Sequence, residues 1–362
     1  MAKNDKDILN EIGLLLSTLI SIPSPTGQEM ALLSWLSRYI KEMGLNIMWQ
    51  KVDRDRPNLI AWRGHPPFLI ATHVDTVPAW GHPYAFSPKI EGSKVYGRGA
   101  IDTKGQIAAL LLAIRRTKTP CAIALFVDEE KEAKGSELFY LPKEMDIKGA
   151  VVLEPTGLNL AITEAGSIEF YLKIKGKAAH GAMPYKGENA IETFYEFYKD
   201  LKQLPFLQIT HPLFPDIGVN VGKIHGGIDC QIIAETCEVE IDVPILPGIS
   251  IKEAKGQIAQ LLEDYKIDFE IKSQDPPWEV SSHESVVEIL EDCVNNILKG
   301  RPSYVGMPAW TDAANLLKKG IPSVVFGAGD LALAHTPKEY AELNDLASLS
   351  LILRHFLETQ DA

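Results

Sequence analysis

The sequence predicts an α/β protein whose mixed, largely parallel sheet is interrupted by a smaller inserted domain. Three observations carry that reading. Residues 68–71, 121–127 and 149–153 are continuous apolar runs of strand length, the composition of strands buried on both faces. Amphipathic helical stretches alternate with them, as in sheets crossed by helices. From about residue 166 the strands alternate in polarity instead, and after residue 275 the apolar runs return. We therefore expect residues 1–165 and 275–362 to form one discontinuous domain and residues 166–274 the insert.

The elements follow in order. Ile8, Leu9, Ile12, Leu15, Leu16 and Leu19 repeat at helical spacing, and a serine- and proline-rich turn at 21–27 ends that helix. A second amphipathic helix covers about 29–43, and two strands lead to the run at 68. Residues 96–105 read YGRGAIDTKG, where glycines permit an irregular backbone. An apolar helix follows at 107–114, so Asp102 stands just before a helix start, where a carboxylate is electrostatically favoured. Residues 167–175 alternate as a half-exposed strand. After the loop GKAAHGAMP come a helix at about 188–203, strands near 217–224 and 231–243, a helix at 250–264 and a strand at 268–272. That order is β-α-β-β-α-β. A helix at 285–298, another opened by Trp310-Thr-Asp312, a buried strand at 322–326 and a last amphipathic helix at 343–357 complete the chain.

Bulk properties narrow the function. At 362 residues the chain is too long for one ordinary core. Asp and Glu number 48 against 36 Lys and Arg, a formal charge of -12. No basic run breaks this balance, so neither nucleic acid nor an anionic membrane is an expected partner. Cys121, Cys230, Cys237 and Cys293 form no CxxC pair, which points away from a disulfide framework and from a thiolate metal site. The first residues are polar, without the apolar core of a signal peptide, and no apolar run reaches transmembrane length. The expectation is a soluble cytoplasmic protein.

Chemistry gathers where the apolar runs end. The first closes in His73 and Asp75, the second in Glu129 and Glu130, the third in Glu154. Alternate residues of a strand share a face, so His73 and Asp75 can point the same way, and a ligating histidine usually donates its other N–H to a carboxylate. Neighbours such as Glu129 and Glu130 would face opposite ways and do different jobs. Open α/β sheets bind their ligands beyond the carboxyl ends of the strands. Carboxylates gathered there would repel one another unless a cation joined them.

HVDTVP from His73, GRGAIDTKG, the Glu129-Glu130 pair, LEPT, GKAAHGAMP and AHTPKEY occur in one order between residues 73 and 340. Together they resemble the M20 family of dinuclear zinc peptidases and amidohydrolases. The resemblance implies a zinc-exopeptidase-like catalytic domain carrying a ferredoxin-like lid and dimerisation domain. It further implies two Zn2+ per chain, with Co2+ as an alternative: one held by His73 and Glu154, the other by Glu130 and His335, with Asp102 between them. In the same scheme Asp75 orients His73, and Glu129 is the general base for water attack on an amide. His180 would stabilise the oxyanion in the partner subunit of a homodimer.

The implied substrate is a small N-acyl amino acid or short peptide. Ser24-Pro-Thr-Gly-Gln-Glu29 and Gly327-Ala-Gly-Asp330 resemble segments of lysine-pathway deacetylases, so an acetyl-lysine or acetylornithine type of deacetylase leads. A carboxypeptidase, a dipeptidase or a desuccinylase is the alternative, and a non-catalytic binding protein on the same scaffold the remote one. Three positions depart from the family pattern: Pro244 stands where many members carry a carboxylate-binding arginine, Ala165 replaces a basic residue, and Gln231 replaces an asparagine.

Overall fold

The computed structural model describes residues 3–143 and 145–359, with side chains from residue 7 onward. It divides into two compact units: Met1–Ile162 with Val280–Val305 and Thr311–Ala362, and Thr163–Glu279 with Gly306–Trp310. The smaller unit is thus bounded a few residues outside the expected 166–274, and Gly306–Trp310 joins it from a distant part of the chain.

In the first part of the chain lie α1 (Lys3–Ile20), α2 (Met30–Glu42), β1 (Asn46–Asp53), β2 (Arg56–Arg63), β3 (Phe68–His73), β4 (Lys89–Glu91), β5 (Lys94–Tyr96), α3 (Lys104–Arg115), β6 (Cys121–Phe126), α4 (Lys134–Glu137), β7 (Gly149–Val152) and β8 (Leu160–Glu164). Then come β9 (Gly166–Lys175), α5 (Ala190–Leu201), β10 (Asn220–Gly226), β11 (Thr236–Ile245), α6 (Ile251–Asp264), β12 (Asp268–Asp275) and β13 (Trp278–Glu279). The chain closes with α7 (Ser285–Leu298), β14 (Tyr304–Met307), α8 (Ala313–Lys318), β15 (Ser323–Val325), β16 (Tyr340–Glu342) and α9 (Leu343–Thr359).

In the larger unit the sheet runs β1-β2-β6-β3-β7-β15-β8. Its middle, β6-β3-β7-β15, is parallel, and the flanking pairs are antiparallel. Every residue of β3, β6 and β7 is buried, as expected of strands covered on both faces. Side chains from Lys104 to Ile114 on α3 are buried too, so this helix is apolar nearly all round. The register sets His73 beside Phe126 and Ala71 beside Val152. The carboxyl ends of the parallel strands therefore meet at one edge, and residues 73–75, 127–130 and 153–154 leave the sheet there.

The smaller unit has the order β-α-β-β-α-β. Its sheet, β10-β11-β9-β12, is antiparallel throughout. On β9, Ile168, Phe170, Leu172 and Ile174 turn inward at period two, and Phe194, Phe197 and Leu201 of α5 with Ile258 and Leu262 of α6 cover them at helical period. Among the described residues, no helix is long and apolar enough to cross a membrane.

Candidate metal centre

His73 is the last residue of β3 and is 1% exposed. Strand pairing holds its backbone, and the Thr103 hydroxyl donates to its carbonyl at 2.8 Å. Nε2 faces carboxylates from three other segments. Asp102 Oδ1 lies at 3.0 Å, Glu154 Oε1 at 3.4 Å and Glu129 Oε2 at 3.9 Å. The second oxygen of Asp102 lies 3.1 Å from His335 Nε2, which is also 3.0 Å from Glu130 Oε2. Asp102 thus stands between two histidines, and each histidine has a glutamate of its own. One ligand atom each from His73, Asp102 and Glu130 falls within 4.8 Å of the others.

Two details differ from the expectation. The strand β3 ends at His73, so Asp75 is not its neighbour across a pleat. His73 Nδ1 lies 3.0 Å from the Asp75 backbone carbonyl and 3.6 Å from the carboxylate. That carboxylate instead accepts the backbone amides of Glu129 and Glu130, at 3.1 and 3.2 Å, and the Thr26 hydroxyl at 2.8 Å. Likewise β6 ends at Phe126, so Glu129 and Glu130 sit in a turn rather than on opposite faces of a strand. Asp128, with φ at 71°, makes that turn. Left-handed backbone costs a non-glycine residue about 1–2 kcal/mol, so the turn needs external support. Arg56 supplies it by joining Asp128 Oδ1, at 2.7 Å, to the buried Glu29.

Charge at the centre is strongly unbalanced. Burial first, then neighbouring carboxylates, push Glu129, Glu130 and Glu154 above the usual carboxylate range, against the pull of His73. Burial alone would lower His73, but Glu129 and Glu154 outweigh it and hold the ring well above its ordinary value. His335 follows the same logic, burial opposed by bonds to Asp102 and Glu130, and reaches about 10. Asp102 is held low: burial opposes this, and the bonds to His335 and His73 prevail.

This donor set suits a divalent cation. Imidazole nitrogen and carboxylate oxygen are ordinary zinc ligands, and two ligands of a tetrahedral zinc stand roughly 3.3 Å apart, given bonds of about 2.0–2.1 Å. The histidine–carboxylate distances of 3.0 to 3.4 Å match that spacing. Glu154 Oε1 is buried with no hydrogen-bond donor. A buried carboxylate oxygen left in that state is costly, and a cation would satisfy it. Glu129, at 3.9 Å, lies farther from His73 Nε2 than Asp102 or Glu154 does.

His180 belongs to the smaller unit and is exposed, opposite Ile232 in an isolated bridge. Its Nδ1 accepts the Ala182 amide at 3.1 Å. Sequence reasoning did not single out Thr26, Glu29, Arg56, Arg98, Asp128 or Glu339, whose side chains hold the segments that bear the centre. Arg98 and Glu339 do lie inside GRGAIDTKG and AHTPKEY, so the motifs contained a signal for them.

The sequence pattern of Peptidase family M20/M25/M40 matches residues 69–359. Acetylornithine deacetylase of Photorhabdus laumondii subsp. laumondii is 27% identical over 378 residues, covering 95% of this chain and 96% of that one. A tripeptidase of Staphylococcus aureus superposes with a TM-score of 0.81 at 20% identity, covering 97% of this chain and 98% of that chain. Human carnosine dipeptidase 1 superposes with a TM-score of 0.79 at 13% identity, covering 99% and 98% respectively. At such identities the two superpositions speak to the fold alone.

Proposed function

The chain belongs to Peptidase family M20/M25/M40, and from that premise we propose that it is a deacetylase of a small N-acyl amino acid of the acetylornithine or acetyl-lysine type. It is a metallohydrolase of amide or peptide bonds, and the deacetylase reading draws on the full-length similarity to acetylornithine deacetylase. The observation that carries the chemistry is Asp102 placed between two histidines, each with its own glutamate, while a further glutamate stands apart.

In this reading His73 and Glu154 would hold one zinc, Glu130 and His335 the other, and Asp102 would serve both. The metal would supply Lewis acidity, to polarise an amide carbonyl and to make water a competent nucleophile near neutral pH. Glu129 accepts the proton of the attacking water and returns it to the departing amine nitrogen. Asp75 supports the base by holding the amides of Glu129 and Glu130. His180 donates from Nε2 to the developing oxyanion, because its Nδ1 already accepts a backbone amide. Its seat in the smaller unit fits action across a homodimer, with that unit as lid and dimerisation domain.

Metal analysis with the Glu129→Gln variant tests the reading. Reconstituted wild-type protein is expected to hold close to two zinc ions per chain. Glu129→Gln keeps them and loses about 10²–10⁴-fold in kcat on N-acetyl-ornithine or N-acetyl-lysine. One ion at saturation, or near-normal turnover by the variant, contradicts the assignment. N-succinyl-diaminopimelate and dipeptides as substrates separate deacetylase from desuccinylase and dipeptidase.

A further inference from the structure

Arg98 is 1% exposed, and the reaction outlined above makes no use of it. A buried guanidinium is costly unless its donors are met. Here Nε donates to the Pro78 carbonyl at 3.1 Å, and Nη2 to the carbonyls of Ala79 and His335 at 3.3 and 3.1 Å. Nη1 pairs with Glu339, which is wholly buried. The other oxygen of Glu339 accepts the backbone amide of Ile101 at 3.1 Å. One ion pair thus grips three separate stretches: the loop that follows Asp75, the residue that precedes Asp102, and the backbone of His335.

The two histidines differ in what else holds them. His73 ends a strand laddered to Phe126. His335 lies in no strand or helix, and its φ of 63° is one that side-chain-bearing residues rarely adopt. Its side chain is 43% exposed, with Trp80 as an aromatic neighbour in T-shaped contact, the ring centroids 6.0 Å apart. The donation from Arg98 to its carbonyl fixes the peptide from which that ring projects.

We infer that Arg98 and Glu339 form a positioning pair that sets His335 against Asp102, and so governs the half of the centre built by His335 and Glu130. Arginine's planar fork is required, because a lysine ammonium cannot serve four acceptors spread around one plane. The pair acts through the ligands and touches no reacting atom. The inference rests on the two-metal reading above.

Co2+ titration of the full-length, metal-stripped protein tests it, with absorption and calorimetry as readouts and thermal melting of the metal-free protein as control. Wild type is expected to take two Co2+. In Arg98→Lys, binding of one Co2+ weakens about 10–100-fold, as when an outer partner of a metal ligand is lost, while the other affinity stays within a few-fold. Glu339→Gln gives the same one-sided loss, and it decides the matter should Arg98→Lys fail to fold. Two unchanged affinities overturn the inference. So does an equal weakening of both in step with a lowered melting temperature, which marks a merely structural pair. Wild-type protein that binds only one Co2+ overturns the two-metal reading, and the inference with it.

Discussion

Replacing Arg56 by methionine is expected to destabilise the larger unit by about 3–5 kcal/mol at pH 7, the cost of breaking a buried ion pair from one side. The structure explains why the value belongs at this end of the scale. The side chains of Glu29 and Asp128 are 0% and 2% exposed, and Arg56 bonds to both. Methionine keeps much of the stem and leaves two carboxylates without their cation. Urea unfolding followed by circular dichroism at pH 7 reads the loss. Since Asp128 shapes the turn that bears Glu129, kcat should fall as well. A loss below about 1 kcal/mol, the range of an exposed ion pair, refutes the reasoning.

Two further outcomes concern the smaller unit. Mixing inactive His180→Ala chains with inactive Glu129→Gln chains should restore activity, since a heterodimer then contains one site with both residues intact; no recovery despite proven subunit exchange places His180 in service of its own chain, or of nothing. Pro244 lies in β11 opposite Ser167, and Ala165 is buried, so neither position offers a cation to a substrate carboxylate; kcat/KM for an N-acyl amino acid and for its carboxamide should then be nearly equal, and several-hundredfold discrimination would show that another cation has taken the place.

The strand ends were legible because their signal is local. A run such as Cys121–Phe126 is apolar throughout, and the polar residues that follow it mark where the sheet stops. The β-α-β-β-α-β insert was legible for the same reason, its periodicity changing from continuous to alternating. The three-stranded sheet β16-β5-β4 was not foreseen, since three-residue strands carry too few positions for any period. Nor was the turn at Asp128: a strand pattern does not report that the chain bends one residue before Glu129. The supports were hidden by distance. Glu29, Arg56 and Asp128 lie on three segments, and nothing local to any of them announces the others. The same holds for Asp75, whose motif suggested a partner for His73 but whose carboxylate chiefly receives the amides of a turn 54 and 55 residues on.

His335 follows Glu130 by 205 residues, and between them lies the whole of the smaller unit. A ribosome therefore delivers His73, Asp102, Glu129, Glu130 and Glu154 long before the second histidine. At about 5–20 residues per second the wait is roughly 10–40 s. Through that interval the nascent chain carries an acidic cluster with a single imidazole, and α9, which buries Leu346, Leu349, Leu353 and Phe356, has not yet been made. The arrangement of two histidines about Asp102 is thus complete only once residue 335 has been made, and α9, which packs against α1, α3 and α7, is the last helix to emerge.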